Sequence, residues 1–387
     1  MKDIVYFDDD DCDLEAFKKQ IDRKLEAADV PHAAEIAKNV PIYDVAALSG
    51  LLSDDVARRA VLEEWAHVLG RLSGVLVLRG AYDDTTPVDH ATKAYEAIIA
   101  AERADGRAAD HFAAAGANDR IWNSLQKLCE VSPEIFATYF GNSAIASVCE
   151  AWLGPGYQMT AQVNLVRPGG KAQTAHRDYH LGFQSAAEAK RFPAHVHDLS
   201  PVMTLQGAVA HCDMPVESGP TKLLPFSQQF RPGYLAYRFP AFARLFEERC
   251  IQLPLAKGDA VFFSPALFHA AGENRSADIN RMANLLQVSS PLGRAMEVVD
   301  REGMCRRLYP VVQALQAAGG LNAAQSAAAI AACAEGYSFP TNLDSDPPVG
   351  GLAPETQAAL FHRALAEGMT HAQFEAALDE HTTRRRP

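Results

Sequence analysis

The chain has 387 residues, enough to bury a substantial core in two or three domains or in one elaborated domain. Hydrophobic content of 48% and charged content of 22% are those of an ordinary globular protein, and a formal net charge of -12 argues against a broad nucleic-acid-binding surface. Seven cysteines without C-x-x-C spacing fit neither a disulfide framework nor a structural zinc site; no apolar run approaches the ~18 residues that span a bilayer, and the acidic start "MKDIVYFDDDDCDLEAF" lacks signal-peptide features, so a reducing cytoplasm is the expected compartment.

In chain order, Leu14, Phe17, Ile21 and Leu25 recur at helical spacing, which predicts an amphipathic helix from about Asp13 to Ala37. A second helix, "DDVARRAVLEEWAHVLGRL", leads into "SGVLVLRGAY", whose Val/Leu run between glycines predicts a buried strand. Alanine-rich helices are expected from about Val88 to Ala115 and from Pro133 to Leu153. From about Tyr157 to Pro291 short runs rich in β-branched and aromatic residues alternate with turns: "YQMTAQVNLV" then "RPGG", "PVMTLQGAVAHCDM" then "ESGP", "TKLLP", "AKGD" then "AVFFSP", and "RMANLLQVSS". Such spacing indicates an antiparallel sandwich or barrel. Helical composition returns beyond, interrupted by the linker-like "SFPTNLDSDPPVGGL". The expected organisation is a helical region over 1–75, a β domain over 76–292 and a helical extension over 293–387.

Within "TAHRDYHLGF" His176, Asp178 and His180 alternate, and residues two apart on a strand share a face at about 6.5 Å spacing, so two of the three side chains can reach one metal ion. With 13 histidines in the chain, an H-x-D triplet is expected roughly once by chance, and His211-Cys212-Asp213 is a second example. His195 and His197 in "FPAHVHDLSPV" also alternate, as strand neighbours would, but have no carboxylate at matching spacing. The two-histidine, one-carboxylate set that holds Fe(II) for oxygen chemistry needs a third ligand from another strand. His269, about ninety residues beyond His176 and just after "AVFFSP", fits. Arg281 opens the returning strand twelve positions later, where an inward guanidinium would need an anionic partner.

The order and spacing of "HRD" at 176–178, "ESGPTKLLPFSQQ" from Glu217, "GDAVFFSP" and "FHAAGENRS", with Arg281 downstream, resemble the phytanoyl-CoA dioxygenase family of Fe(II)/2-oxoglutarate oxygenases. The resemblance covers roughly 160–290. It implies an α+β fold with a double-stranded β-helix (jelly-roll, cupin-like) core, His176, Asp178 and His269 as iron ligands, and Arg281 on the distal carboxylate of 2-oxoglutarate. The arginine stands one residue further from the histidine than the family usually places it, and Ala271 replaces a frequent hydroxyl residue, so Arg275 competes for that role. Gln162 and Asn164, on one face of the strand before "RPGG", are candidate donors to 2-oxoglutarate; Tyr179, His180 and Phe183 are candidate substrate contacts. Related halogenases lack the carboxylate of Asp178, so the resemblance favours hydroxylation or desaturation of a small molecule, with O2 consumed and succinate and CO2 released. The acidic chain shows no basic cluster for the phosphates of an acyl-CoA. The alternatives are a cupin-like isomerase or lyase that uses no 2-oxoglutarate and a non-catalytic ligand-binding barrel; neither requires an inward arginine beside the ligand set.

Overall fold

The computed structural model describes residues 4–105 and 118–387. Its strands are β1 (Glu35–Ala37), β2 (Val40–Asp44), β3 (Val75–Arg79), β4 (Asn118–Ile121), β5 (Gln158–Val166), β6 (Thr204–Ala210), β7 (Lys222–Leu224), β8 (Ala260–Phe263), β9 (Phe268–Ala270) and β10 (Arg281–Ser289). Eight of them form one sheet in the order β1-β2-β3-β8-β6-β10-β5-β4, antiparallel except for β2 with β3, and β7 pairs with β9 in a second sheet. The two sheets face each other across a cavity, as in a double-stranded β-helix. The expected strands from Val75 onward all occur.

Side-chain alternation divides the large sheet into two faces. Leu76, Leu78, Ala161, Val163, Leu205, Val209, Phe262 and Leu286 point outward into the main hydrophobic core. There they meet Trp65, Val68, Tyr95, Phe136 and Val148 from helices that precede β5, and Met304, Leu308, Ile330, Phe361 and Phe374 from the C-terminal helices. The region after 292 therefore shares the core of the β-sandwich. The opposite face carries Val75, Val77, Ala208, Val261 and Phe263 in a smaller inner cluster. Further along, that inner face turns polar: Gln162 and Asn164 on β5, and Arg281 and Gln287 on β10, line the cavity. β5 and β10 pair through nine residues, from Arg281 opposite Val166 to Ser289 opposite Gln158, and this long ladder fixes which face each polar residue takes.

Several local expectations are corrected. The helix expected to reach Ala37 is confined to Leu14–Ile21, with Asp13 accepting from the amides of Glu15 and Ala16 at its start. Beyond it, β1 and β2 form a hairpin around Lys38 and Asn39, both at positive φ (53° and 66°), as a two-residue turn of this twist requires. The region read as helical thus also adds two strands to the sheet. Residues 133–153 form two helices, Pro133–Phe140 and Ser143–Leu153, and Asn142 caps the second by accepting from Ile145 N. The helix after Val88 runs over Thr86–Ala104, and the rest of that expected helix, 106–115, lies outside the described residues. His195 and His197 lie on a helix, Ala194–Leu199, and do not alternate across a strand. Among the described residues, no helix is long and apolar enough to cross a membrane.

Candidate active site

His176 and His269 form an isolated antiparallel bridge: His176 N donates to His269 O (3.0 Å) and His269 N to His176 O (3.2 Å). Residues so paired project to the same face, and the two rings lie 4.4 Å apart. Asp178 stands two residues on, its amide donating to Pro265 O at 3.0 Å. The extended run then stops, because Tyr179 and His180 both take positive φ (61° and 42°). His180 is thereby turned off the shared face, its Nδ1 lying 3.2 Å from Ser200 Oγ, and the alternation that made it a competing ligand does not continue.

Nδ1 of His176 lies 2.8 Å from Thr174 O, and Nδ1 of His269 lies 2.8 Å from Leu267 O. A carbonyl can only accept, so both Nδ1 atoms carry the hydrogen and both Nε2 atoms present a lone pair. Those lone pairs face the Asp178 carboxylate, with His176 Nε2 at 3.6 Å from Oδ1 and His269 Nε2 at 3.3 Å from Oδ2. One ligand atom from each of the three residues lies within 4.8 Å of the others. Burial, and then the neighbouring His269, lower the pKa of His176 and oppose an imidazolium there. Burial pushes the Asp178 carboxyl upward, and the hydrogen bond from the Gln206 amide opposes that shift and favours the carboxylate. Three converging electron-pair donors with one fixed negative charge fit a divalent cation.

Between the two candidate ligands, Arg177 points the other way and is buried. Its Nη2 donates to Ser227 O (2.7 Å) and Phe230 O (2.9 Å), and the guanidinium lies 5.1 Å from the Tyr234 ring centre and 5.2 Å from that of Phe268. The H-R-D segment is thus anchored from behind.

The ligand set opens into a cavity of about 660 Å³, the size range of a small-molecule site. Arg281 lines it and is 6% exposed, and among the described residues its guanidinium makes only long contacts, from Nη1 to Ser218 O and Gly272 O, both 3.4 Å. Burial lowers its pKa to about 10, which leaves it charged at neutral pH. Among the described residues no carboxylate lies within ion-pair distance of it. Arg275 is exposed, pairs through its backbone amide with Glu217 O (2.7 Å), and does not reach the cavity. Gln162 and Asn164 both line it, and Gln162 Oε1 accepts from Arg120 Nη1 at 3.0 Å.

Of the three candidate substrate contacts, Phe183 lines the cavity and is 56% exposed at its rim. Tyr179 and His180 do not line it; Tyr179 is buried and donates its hydroxyl to Gln287 Oε1. His211 lies elsewhere, enclosed by Thr92 Oγ1 and Tyr139 OH at 2.8 Å each, and its neighbour Asp213 is exposed and accepts from Lys257 N. Burial pushes the pKa of His211 down to about 3, so it is a neutral core residue. Sequence reasoning missed Arg120, Trp122, Gln206, Gln287 and Met296, all of which line the cavity. For Gln206 and Gln287 the signal was available, because each occupies an inward position in the alternation of its strand.

Residues 70–283, more than half of the chain, match the model of the family described as phytanoyl-CoA dioxygenase. The chain belongs to this family. The matched span runs from just before β3 to the start of β10, and so contains His176, Asp178, His269 and Arg281 of this family member. Among curated proteins it is similar to dioxygenase cdmD of Talaromyces verruculosus (31% identity over 139 residues, 35% of this chain and 41% of the relative). It is also similar to dioxygenase andF of Emericella variicolor (27% identity, 35% of this chain and 43% of the relative). The matches thus span less than half the length of these relatives. Among solved structures, the epimerase SnoN in complex with Fe3+, alpha ketoglutarate and nogalamycin RO aligns at a TM-score of 0.42 with 20% identity, covering 60% of this chain and 85% of that one. The carbocyclase SnoK aligns at 0.42 with 18% identity, covering 58% and 83%.

Proposed function

We propose that this phytanoyl-CoA dioxygenase family member is an Fe(II)- and 2-oxoglutarate-dependent dioxygenase that hydroxylates, or otherwise oxidises, a small molecule. The observation that carries the reading is the juxtaposition in one cavity of two inward Nε2 lone pairs and a carboxylate with a buried arginine that has no carboxylate partner among the described residues. His176, Asp178 and His269 would hold the iron. Arg281 would receive the distal carboxylate of 2-oxoglutarate, because a guanidinium meets a carboxylate through two parallel charge-assisted bonds and a dianion offsets the cost of burying the cation. Gln162 and Asn164 stand on the strand beside β10 and would orient the co-substrate. Bound iron supplies the activation of O2 that couples oxidative decarboxylation of 2-oxoglutarate to oxidation of the substrate, with release of succinate and CO2.

The chain itself supplies geometry and exclusion of water. The bridge between His176 and His269 fixes the ring orientation, and the acceptors on Nδ1 fix the tautomer. Trp122, Phe183 and Met296 contribute apolar side chains to the cavity lining, against which the body of a substrate would pack. Asp178 is a carboxylate that related halogenases lack, and its presence favours hydroxylation or desaturation. The reading places the enzyme in the cytoplasm, with a small-molecule substrate and neither nucleic acid nor membrane as partner. The test is anaerobic reconstitution with Fe(II) and 2-oxoglutarate, then admission of oxygen in the presence of a metabolite library. Succinate formed above the background of the Asp178→Ala variant identifies the substrate; its absence across a broad library with folded, iron-loaded protein counts against the reading.

A further inference from the structure

Two glutamines opposite each other in the large sheet are tied to two consecutive residues of the ligand segment. Gln206 on β6 and Gln287 on β10 are register partners, so their side chains leave the same face of the sheet as neighbours. Gln206 Nε2 donates to Asp178 Oδ2 at 2.5 Å. Gln287 Oε1 accepts from the hydroxyl of Tyr179, the next residue along the chain. Both glutamines are buried, at 4% and 7% exposure, and both line the cavity.

The orientation of each contact is chemically determined. An ionised carboxylate can only accept, so the amide nitrogen of Gln206 must face Asp178. Tyr179 has a positive φ of 61°, an unfavourable conformation for a residue with a side chain, and the buried bond to Gln287 holds it there. This turn ends the extended run directly after Asp178. Its shape decides how the carboxylate is aimed.

A carboxylate with two free oxygens can chelate a cation through both. A site that must also admit a two-point co-substrate and O2 has coordination positions for only one of them. Gln206 takes up one lone pair of Oδ2 and fixes the plane of the carboxylate, which leaves Oδ1 the less encumbered oxygen for a cation. We infer that Gln206 is a positioning residue that holds Asp178 as a one-oxygen ligand, and that Gln287 steadies the same geometry through Tyr179. This inference rests on the metal-site reading given above.

The experiment uses Co(II), whose visible absorption reports the number and arrangement of its ligands, with the full chain carrying wild-type sequence, Gln206→Met or Gln287→Met. Gln206→Met keeps side-chain length and removes the donor. Outer-shell partners of metal ligands are worth on the order of 10- to 100-fold in affinity, and Gln206→Met is expected to weaken Co(II) binding by that amount, with Gln287→Met weakening it less. The deciding readout is the spectrum: the Co(II) spectrum of Gln206→Met should differ in shape and intensity from that of the wild type at full occupancy. A general loss of stability would lower affinity without altering the spectrum of the occupied site. Should Gln206→Met fail to fold by circular dichroism, Gln206→Asn, which keeps an amide but falls one methylene short, is read in the same way. An unchanged spectrum in the folded variant overturns the inference while leaving the metal site standing. A wild-type protein that takes up no Co(II) overturns both.

Discussion

His176 and His269 exchange both backbone hydrogen bonds across an isolated bridge, and this one pairing brings together two side chains about ninety residues apart in sequence. Because opposed residues of an antiparallel pair share a face, the bridge sets the two histidines side by side, and the Nδ1 bonds to Thr174 O and Leu267 O hold the rings 4.4 Å apart. Asp178, two residues on, joins by simple alternation. The site therefore depends on backbone register, and small changes of register should be severe.

The first prediction concerns the ligand set. His176→Ala, Asp178→Ala and His269→Ala should each lose Fe(II) stoichiometry and turnover, because each removes one of three converging donors. His211→Ala should retain full iron content while losing about 1–3 kcal/mol of stability, since it removes a buried hydrogen-bond partner from the hydroxyls of both Thr92 and Tyr139. Metal analysis alongside urea denaturation separates the two classes. Iron loss from folded His211→Ala would mean that the wrong H-x-D had been chosen.

A second prediction follows from the anchor behind the ligands. A Cβ at Gly233 would sit 2.0 Å from the guanidinium carbon of Arg177, which has no room to retreat between Tyr234 and Phe268. Gly233→Ala should cost about 1–3 kcal/mol, the usual range for overpacking, and should weaken metal binding because Arg177 separates His176 from Asp178. Thermal denaturation and metal titration of one preparation test both effects. Wild-type values of both would show that Arg177 does not brace the segment.

The third concerns pH. His211 has a folded pKa pushed down to about 3 by burial, against an unfolded value of roughly 6.5. Between those values the unfolded chain binds a proton that the native chain refuses. The contribution of neutral His211 to stability is thus fully present above about pH 6.5 and is lost progressively as pH falls toward 3. Urea unfolding at pH 7.5 and pH 5 should show the wild type losing more stability than His211→Gln. Equal losses would contradict the assignment of His211 as a neutral core residue.

A fourth prediction separates two arginines. Arg281→Lys cannot reproduce a two-bond grip on a carboxylate, and losing such a partly buried pair costs about 2–5 kcal/mol, or roughly 30- to several-thousand-fold in affinity. The 2-oxoglutarate requirement should rise accordingly while iron binding persists. Arg275, exposed and outside the cavity, should tolerate Arg275→Lys with less than about a twofold change, as surface charges generally do. Titration of 2-oxoglutarate against the two folded, iron-loaded variants decides, and the reverse pattern would transfer the role to Arg275.

The strands were legible because their signals are local and strong. "RMANLLQVSS" and "YQMTAQVNLV" are short runs of strand-forming residues bounded by turns, and the structure pairs them along nine residues. His269 and Arg281 could be placed because each sits at the edge of such a strand. Other features depend on tertiary context. Lys38-Asn39 turns a hairpin without the glycine that usually marks one, and residues 194–199 alternate histidines like a strand yet coil as a helix. Arg120 and Trp122 escaped notice because "NDRIWN" carries no alternation of its own; its place in the cavity comes from pairing with β5, where Arg120 stands opposite Asn164. Met296 lies beyond the family-matched span and reaches the cavity from the segment after β10, with its Sδ 3.6 Å from Gln162 Nε2.

The most direct test of the central claim is a calorimetric titration of 2-oxoglutarate into the Fe(II)-loaded protein under anaerobic conditions. The account predicts saturable one-to-one binding that requires the metal and is lost in Asp178→Ala. A folded protein that holds iron through His176, Asp178 and His269 but binds no 2-oxoglutarate would contradict it, and would make an oxygen-independent metalloenzyme the better description.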